Sequence, residues 1–348
     1  MAAFGVTSEQ IKSTRPIPDA DRIEVATLAG MDFEFVIPKG QFSPGDRVLY
    51  FPVDSLLPAP LIERIGLTGR LAGKDRNRVK TIKLRGQISQ GLVASCDLVP
   101  AGMSDAEQIT ALLGVTKYEP PEEICLGAVL TRLPAGQGKF DIESADRYVE
   151  VAELLMDQPA FITEKVEGSN LWVRAEPDGT TIVGQREHSV TPREGGEHTF
   201  HVIARRHKLA ELAASLATGH GRPVVVYGEA LGPKIQGNIY KLANYSVRLF
   251  DIKVGPGFLA PAAFLDAVRE GLGNTDLVVP VLQAPDGTTL RAWLGGRTIK
   301  EASNGRSLLL DRMREGIVIK PLTEGHHPAI GRLVVKQRSP QYLAKSEF

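Results

Sequence analysis

Three apolar runs in the second half of the chain constrain the fold most, because each carries charge inside or at the end of a stretch that reads as a buried strand. PVVVYGEAL (223–231) holds Glu229 in an otherwise apolar strand. EGIVIKP (315–321) has Glu315 and Lys320 at its two ends, and RLVVKQRS (332–339) puts Lys336 and Arg338 at alternate positions on one strand face. An ionisable group in such a run costs free energy unless it is paired or functional. Each alone is satisfied by a strand end reaching solvent. Together with Arg186 in VGQREH, they point to one site of cations and carboxylates. That set suits nucleotide phosphate chemistry: cations neutralise phosphate oxygens, carboxylates hold a divalent metal and a lysine attacks.

The candidate nucleophile stands in TEKVEGSNLWV (163–173), where Lys165 lies between Glu164 and Glu167 and Gly168 follows. A Lys-x-x-Gly string arises by chance roughly once in a few hundred residues at average composition. Its setting adds weight: AFIT before it and LWV after it read as strands, which mounts the lysine on a short loop between rigid elements. A hairpin follows, with its turn at EPDG. Helical periodicity covers 202–217 and 261–272, the second with proline in its first turn. YSVRLFDIKV (245–254) reads as a further buried strand, and the half as a whole is α+β.

Residues 20–100 have a different texture. DRIEVATLAG, DFEFVIP, GDRVLYFPV, RVKTIKLRG and GLVAS are short β-rich runs with frequent turn signals, as in a small barrel or sandwich. EPPEE (119–123) and LPAGQGKF (133–140) read as loops. A chain of 348 residues exceeds the usual single-domain range of about 100–200, so we expect two domains, 1–145 and 146–348.

The 41 basic residues balance 41 acidic ones, so nucleic-acid binding must come from local clustering. Residues 70–85 supply it. Arg70, Lys74, Arg76, Arg78, Lys80, Lys83 and Arg85 stand against Asp75 alone, a net +6 over 16 residues. This fits phosphate-backbone contact; the plainer reading is a solvated loop and a lysine-protected edge strand. Cys96 and Cys125 are 29 residues apart and outside any CxxC pattern, as expected in a reducing compartment. The N-terminus lacks a secretory apolar core, and no run of 18 apolar residues suggests a membrane span, so we expect a cytoplasmic protein. Walker-type, GxGxxG, HExxH and GxSxG motifs are absent. His188, His198, His201 and His207 lack the pairing of a zinc site.

In order, Lys165-Val-Glu167-Gly168, Arg186, Tyr227-Gly-Glu229, Phe250-Asp251-Ile252, Glu315-Gly-Ile-Val-Ile-Lys320 and Lys336-Gln-Arg338 resemble the motifs of covalent nucleotidyltransferases. That superfamily holds ATP-dependent DNA ligases, RNA ligases and mRNA capping enzymes. DNA ligases and capping enzymes carry an OB barrel after the last motif, whereas this sequence ends 10 residues past Arg338. Its candidate barrel precedes the lysine and resembles the N-terminal OB module of Deinococcus/Naegleria-type ATP-dependent RNA ligases.

The resemblance implies an OB-type β-barrel followed by an adenylyltransferase domain of antiparallel sheets and flanking helices. It implies an RNA ligase that uses ATP with Mg²⁺ or Mn²⁺, joins 3′-OH and 5′-phosphate ends at nicks in RNA-containing duplexes, and acts as a monomer. The alternatives are a DNA ligase or guanylyltransferase of the same superfamily, or an RNA- or tRNA-binding protein whose nucleotidyltransferase half is inactive. Lys165 would form the lysyl-adenylate. Glu164 belongs to the nucleotide site, Glu167 to the ribose, and Arg186 to the RNA-end phosphate. Glu229 would hold a ribose hydroxyl or a metal-bound water, and Glu315 a metal through water. Phe250 or Tyr227 would stack on adenine, and Lys320 and Lys336 would bind phosphates. The family pattern has lysine where Arg338 stands; arginine keeps the charge but grips phosphate differently. A free lysine titrates near about 10.4, so a cation, Lys336 or a metal, is expected to favour the neutral amine.

Overall fold

The computed structural model describes residues 4–118 and 128–345; EPPEE and Cys125 lie outside them. Two compact units emerge, one of residues 4–118, 145–150 and 343–345, the other of 128–144 and 151–342. Among the described residues, no helix is long and apolar enough to cross a membrane.

The first unit is built on a five-stranded antiparallel sheet. Thr7–Pro16 is its central strand, with Ile23–Leu28 and Glu34–Pro38 to one side and Arg47–Phe51 and Leu92–Ser95 to the other. Arg47–Phe51 is buried on both faces. Val48 and Tyr50 pack with Phe35 and Leu28, while Leu49 and Phe51 pack with Leu57 and Ile109. Period-two alternation sends its neighbours to opposite cores, which is why this strand reads as a continuous apolar run. The central strand escaped the sequence reading because TSEQIKSTRP has one apolar side chain, Ile11, to show the pattern.

RVKTIKLRG departs from its expected place. Thr81–Leu84 pairs with Gln87–Gln90 in a separate two-stranded ribbon, and Ile82 and Leu84 are exposed on it. Its turn, Arg85-Gly86, has φ of 49° and 83°, as a tight hairpin with the strand twist requires.

The second unit packs two sheets. The seven-stranded sheet runs Ala128–Arg132, His188–Pro192, Thr181–Gln185, Ser169–Ala175, Val224–Leu231, Ser246–Val254 and Gly257–Phe258 in spatial order. Helices Thr199–Arg206, Leu209–His220 and Pro261–Leu272 supply Phe200, Leu212, Ala213, Phe264 and Val268 to one buried core with Leu171, Val173, Val224 and Val226. The single helix expected over 202–217 is two, because Lys208 adopts a left-handed φ of 53° between them. The five-stranded sheet runs Glu143–Ser144, Val335–Arg338, Gly316–Pro321, Ala160–Lys165 and Val281–Gln283. All the ionisable runs singled out above are strands of these two sheets.

Candidate active site

Lys165 is the last residue of its strand, paired with Gly316, rather than a loop residue. Four residues later the chain enters the other sheet at Ser169, so the lysine marks the point where the backbone crosses between sheets. The crossover is tight. A Cβ on Gly168 would lie 2.4 Å from Ala230 O and 2.9 Å from Glu229 Cγ. The Gly168 N–H donates to Glu229 Oε1 at 3.0 Å, which ties the crossover to the neighbouring strand.

A solvent-open cavity lies beside the lysine, lined by cations, carboxylates and apolar side chains. Lys165 Nζ donates to Glu315 Oε2 at 2.7 Å, and Arg338 Nε lies 3.6 Å from Glu315 Oε1. One carboxylate thus sits between two cations. Lys336 Nζ reaches Asp141 Oδ1 at 3.4 Å. Burial holds the Lys336 ammonium below its usual range, with Lys165 pushing the same way and Asp141 opposing both. Burial raises the Glu229 carboxyl to about 7; Glu315 and Glu167 add to the rise, and Lys165 and the Gly168 amide oppose it.

Glu164 is held from the protein interior. It is 1% exposed, its Oε2 accepts from Leu308 N at 2.9 Å, and burial pushes its carboxyl up. It lines the cavity, and its Oε1 meets no donor among the described residues. Phe250 and Val318 line the same cavity. Tyr227 lies behind Phe250, 6.4 Å away and near-parallel, and is itself buried. Of the two aromatics left open by the sequence, Phe250 is the one at the cavity.

Two expected site residues have other work. Lys320 Nζ donates to Asp251 Oδ2 at 2.9 Å and to the Phe250 carbonyl at 2.5 Å. Arg332 also pairs with Asp251 and Glu324, and stacks 3.7 Å over Phe258. Lys320 is thus tied to a buried ion network and to the backbone bulge at Phe250, and it also lines the cavity where the sequence reading placed a phosphate ligand. Arg186 is about half exposed near the turn between two strands, 3.8 Å from Glu187, and does not line the cavity.

The sequence missed several contributors. Phe140 and Asp141 belong to the irregular segment 133–142 yet line the cavity, and Asn170 lines it from the strand after the crossover. Glu167 is held by two tyrosines: its N–H donates to Tyr240 Oη at 3.0 Å, and Tyr342 Oη donates to its Oε2 at 2.5 Å. No group of three His, Cys, Asp or Glu among the described residues forms a metal cage. Glu229 and Glu315 supply oxygen donors, so the site suits a hard cation that keeps waters and takes ligands from a phosphate.

In the basic segment, Arg70, Lys74, Arg76 and Arg85 are exposed, Lys80 is half-buried, and Lys83 donates to Ala344 O at 3.1 Å. Arg78 is the exception. It grips Asp54 Oδ1 at 2.9 and 2.6 Å and lies 3.5 Å over the Tyr118 ring, so it clamps the unit together instead of facing solvent.

Two family descriptions match this chain: an OB-fold domain over residues 5–96 and RNA ligase over residues 158–337. No curated protein matches. Among solved structures, a Naegleria gruberi RNA ligase lysine mutant with AMP and Mn is similar, at 29% identity over 99% of both chains and a TM-score of 0.80. The Naegleria gruberi RNA ligase with PPi is similar at 28% identity, over 99% of this chain and 98% of that one, with a TM-score of 0.80. A mutant of the same ligase with ATP and Mn matches at 28% identity over 98% of both chains, with a TM-score of 0.77.

Proposed function

The chain belongs to the RNA ligase family, and on that premise we propose that Lys165 is the nucleophile of an ATP-dependent, AMP-forming RNA ligase that seals nicks in RNA-containing duplexes. The observation that carries this reading is the lysine lining a cavity, bonded to Glu315, with Phe250 and Val318 in the same lining. Adenine fits between those two apolar side chains. Glu164 also lines the cavity, and a carboxylate acceptor there suits the exocyclic amine of adenine over the carbonyl of guanine.

In the first step Lys165 Nζ attacks the α-phosphorus of ATP. The N–P bond forms as the bond to the bridging α,β oxygen breaks, and pyrophosphate leaves with the electron pair. The attacking amine loses a proton, and Glu315 is the group at hydrogen-bond distance to receive it. Lys336 and Arg338 face the developing phosphate charge, with Lys336 at the α-phosphate. The 5′-phosphate of RNA then takes the AMP, and a 3′-hydroxyl displaces it to form the phosphodiester. A divalent cation, Mg²⁺ or Mn²⁺, neutralises phosphate charge when bound, and Glu229 and Glu315 are the residues that would hold it through water. Glu167 takes the ribose and Arg186 the RNA end. The exposed cations of 70–85 take the duplex backbone. Monomeric action in the cytoplasm completes the proposal; the location is supported by a sequence with two cysteines and no CxxC pattern.

Incubation with α-labelled ATP and metal tests the reading. A heat-stable, acid-labile label that disappears in Lys165→Met is expected; an unlabelled wild-type protein would reduce the chain to an RNA-binding protein. Nicked duplexes with RNA or DNA on each strand then test the substrate. Sealing is expected to need ribonucleotides on the 3′-hydroxyl side, and equal sealing of all-DNA nicks would overturn that part.

A further inference from the structure

Glu315 and Glu167 flank the reactive lysine, and a chain of hydrogen bonds joins them through a third segment. The Glu315 carbonyl accepts from Ser339 N at 2.8 Å. Ser339 is fully buried, and its hydroxyl donates to Asn304 Oδ1 at 2.8 Å and accepts from Tyr342 N at 3.1 Å. That last bond caps the helical turn beginning at Pro340, and Asn304 Oδ1 also receives Gln341 N at 3.2 Å. Asn304 is fixed in turn by Arg314, whose guanidinium donates to the carbonyls of Ala302, Ser303 and Asn304. The Tyr342 phenol then points back at Glu167 Oε2. The segment that leaves the Lys336 strand is thereby registered against the main chain of Glu315 and the carboxylate of Glu167.

We infer that Tyr342 is a positioning residue for lysine adenylylation: it fixes the Glu167 carboxylate where the nucleotide needs it. Tyr240 restrains the main chain of Glu167 but leaves its side chain free to rotate. Glutamate has one more rotatable bond than aspartate, so its carboxylate needs a second anchor, and a charge-assisted phenol bond supplies it. This inference rests on the placement of Glu167 at the nucleotide.

The test is a double-mutant cycle on the rate and KM of lysine adenylylation, using Tyr342→Phe, Glu167→Ala and the pair. Tyr342→Phe removes one oxygen, and its melting temperature should stay close to wild type. We expect KM for ATP to rise or the rate to fall about tenfold in Tyr342→Phe, and no further loss when the change is added to Glu167→Ala. The ratio of KM for ATP to KM for dideoxy-ATP should approach one in both single variants. A Glu167→Ala defect that Tyr342→Phe multiplies, or a Tyr342→Phe protein indistinguishable from wild type, overturns the inference while leaving Glu167 at the nucleotide. A Glu167→Ala protein with normal adenylylation overturns the inference together with the site reading of Glu167.

Discussion

The Lys165 ammonium and the Glu315 carboxylate meet at 2.7 Å across 150 residues of sequence, and the same carboxylate faces Arg338. Because Lys165 pairs with Gly316 and Arg338 also pairs with Gly316, the strand carrying Glu315 lies between the other two. Removing Glu315 takes away the lysine's anchor and the anion shared by two cations. Glu315→Ala is expected to slow lysine adenylylation about 100-fold or more, measured by single-turnover labelling. A rate within a few-fold of wild type would show that the pair has no part in the step.

The Asp251 network gives a stability prediction with a sign. Asp251 is buried between Lys320 and Arg332, so Asp251→Asn leaves buried Lys320 without its anion and Arg332 with Glu324 alone. The expected loss is about 3–5 kcal/mol, the cost of breaking a buried pair from one side. Lys320→Met should cost less, since Arg332 remains with Asp251. Both should raise KM for ATP, because the Lys320 bond to the Phe250 carbonyl holds the cavity-lining ring. Urea denaturation and ATP titrations check these expectations.

The basic segment divides into two kinds of arginine. Alanine at Arg70, Lys74 and Arg76 together is expected to weaken nicked-duplex binding and lower the slope of log affinity against log salt by up to about 3. Melting temperature and lysine labelling should stay unchanged. Arg78→Ala should do the reverse in part, lowering the melting temperature through its lost contacts with Asp54 and Tyr118. Anisotropy at several salt concentrations, beside thermal melts, separates them.

Burial holds the His198 and His207 imidazoles below their usual range, and His198 Nδ1 must stay unprotonated to accept the Phe200 amide. Below about pH 6.5 the unfolded chain takes up protons at these positions that the folded chain refuses, so stability falls as pH drops. The melting temperature at pH 5.5 should fall short of its value at pH 7.5, and a His198→Asn/His207→Gln variant should lose less over that range. An equal loss in both proteins would exclude these histidines as the cause.

The sequence by itself determined the strands of the RNA ligase half and the order of its charged runs, because buried strands and turns leave local patterns. It could not show the polar strand Thr7–Pro16, where one isoleucine carries the whole apolar signal. It could not assign Lys320, because an ammonium in an apolar run looks the same whether it awaits a phosphate or already faces Asp251. Only the tertiary structure put Phe140, read as loop, beside Phe250 and its neighbour Asp141 beside Lys336. Only it chose Phe250 over Tyr227, through a bulge between their strands that brings one ring to the cavity and leaves the other behind it. It also brought Tyr342 to Glu167 across 175 residues. Pairing between distant side chains depends on sheet register and strand order, and neither is written in any local stretch of residues.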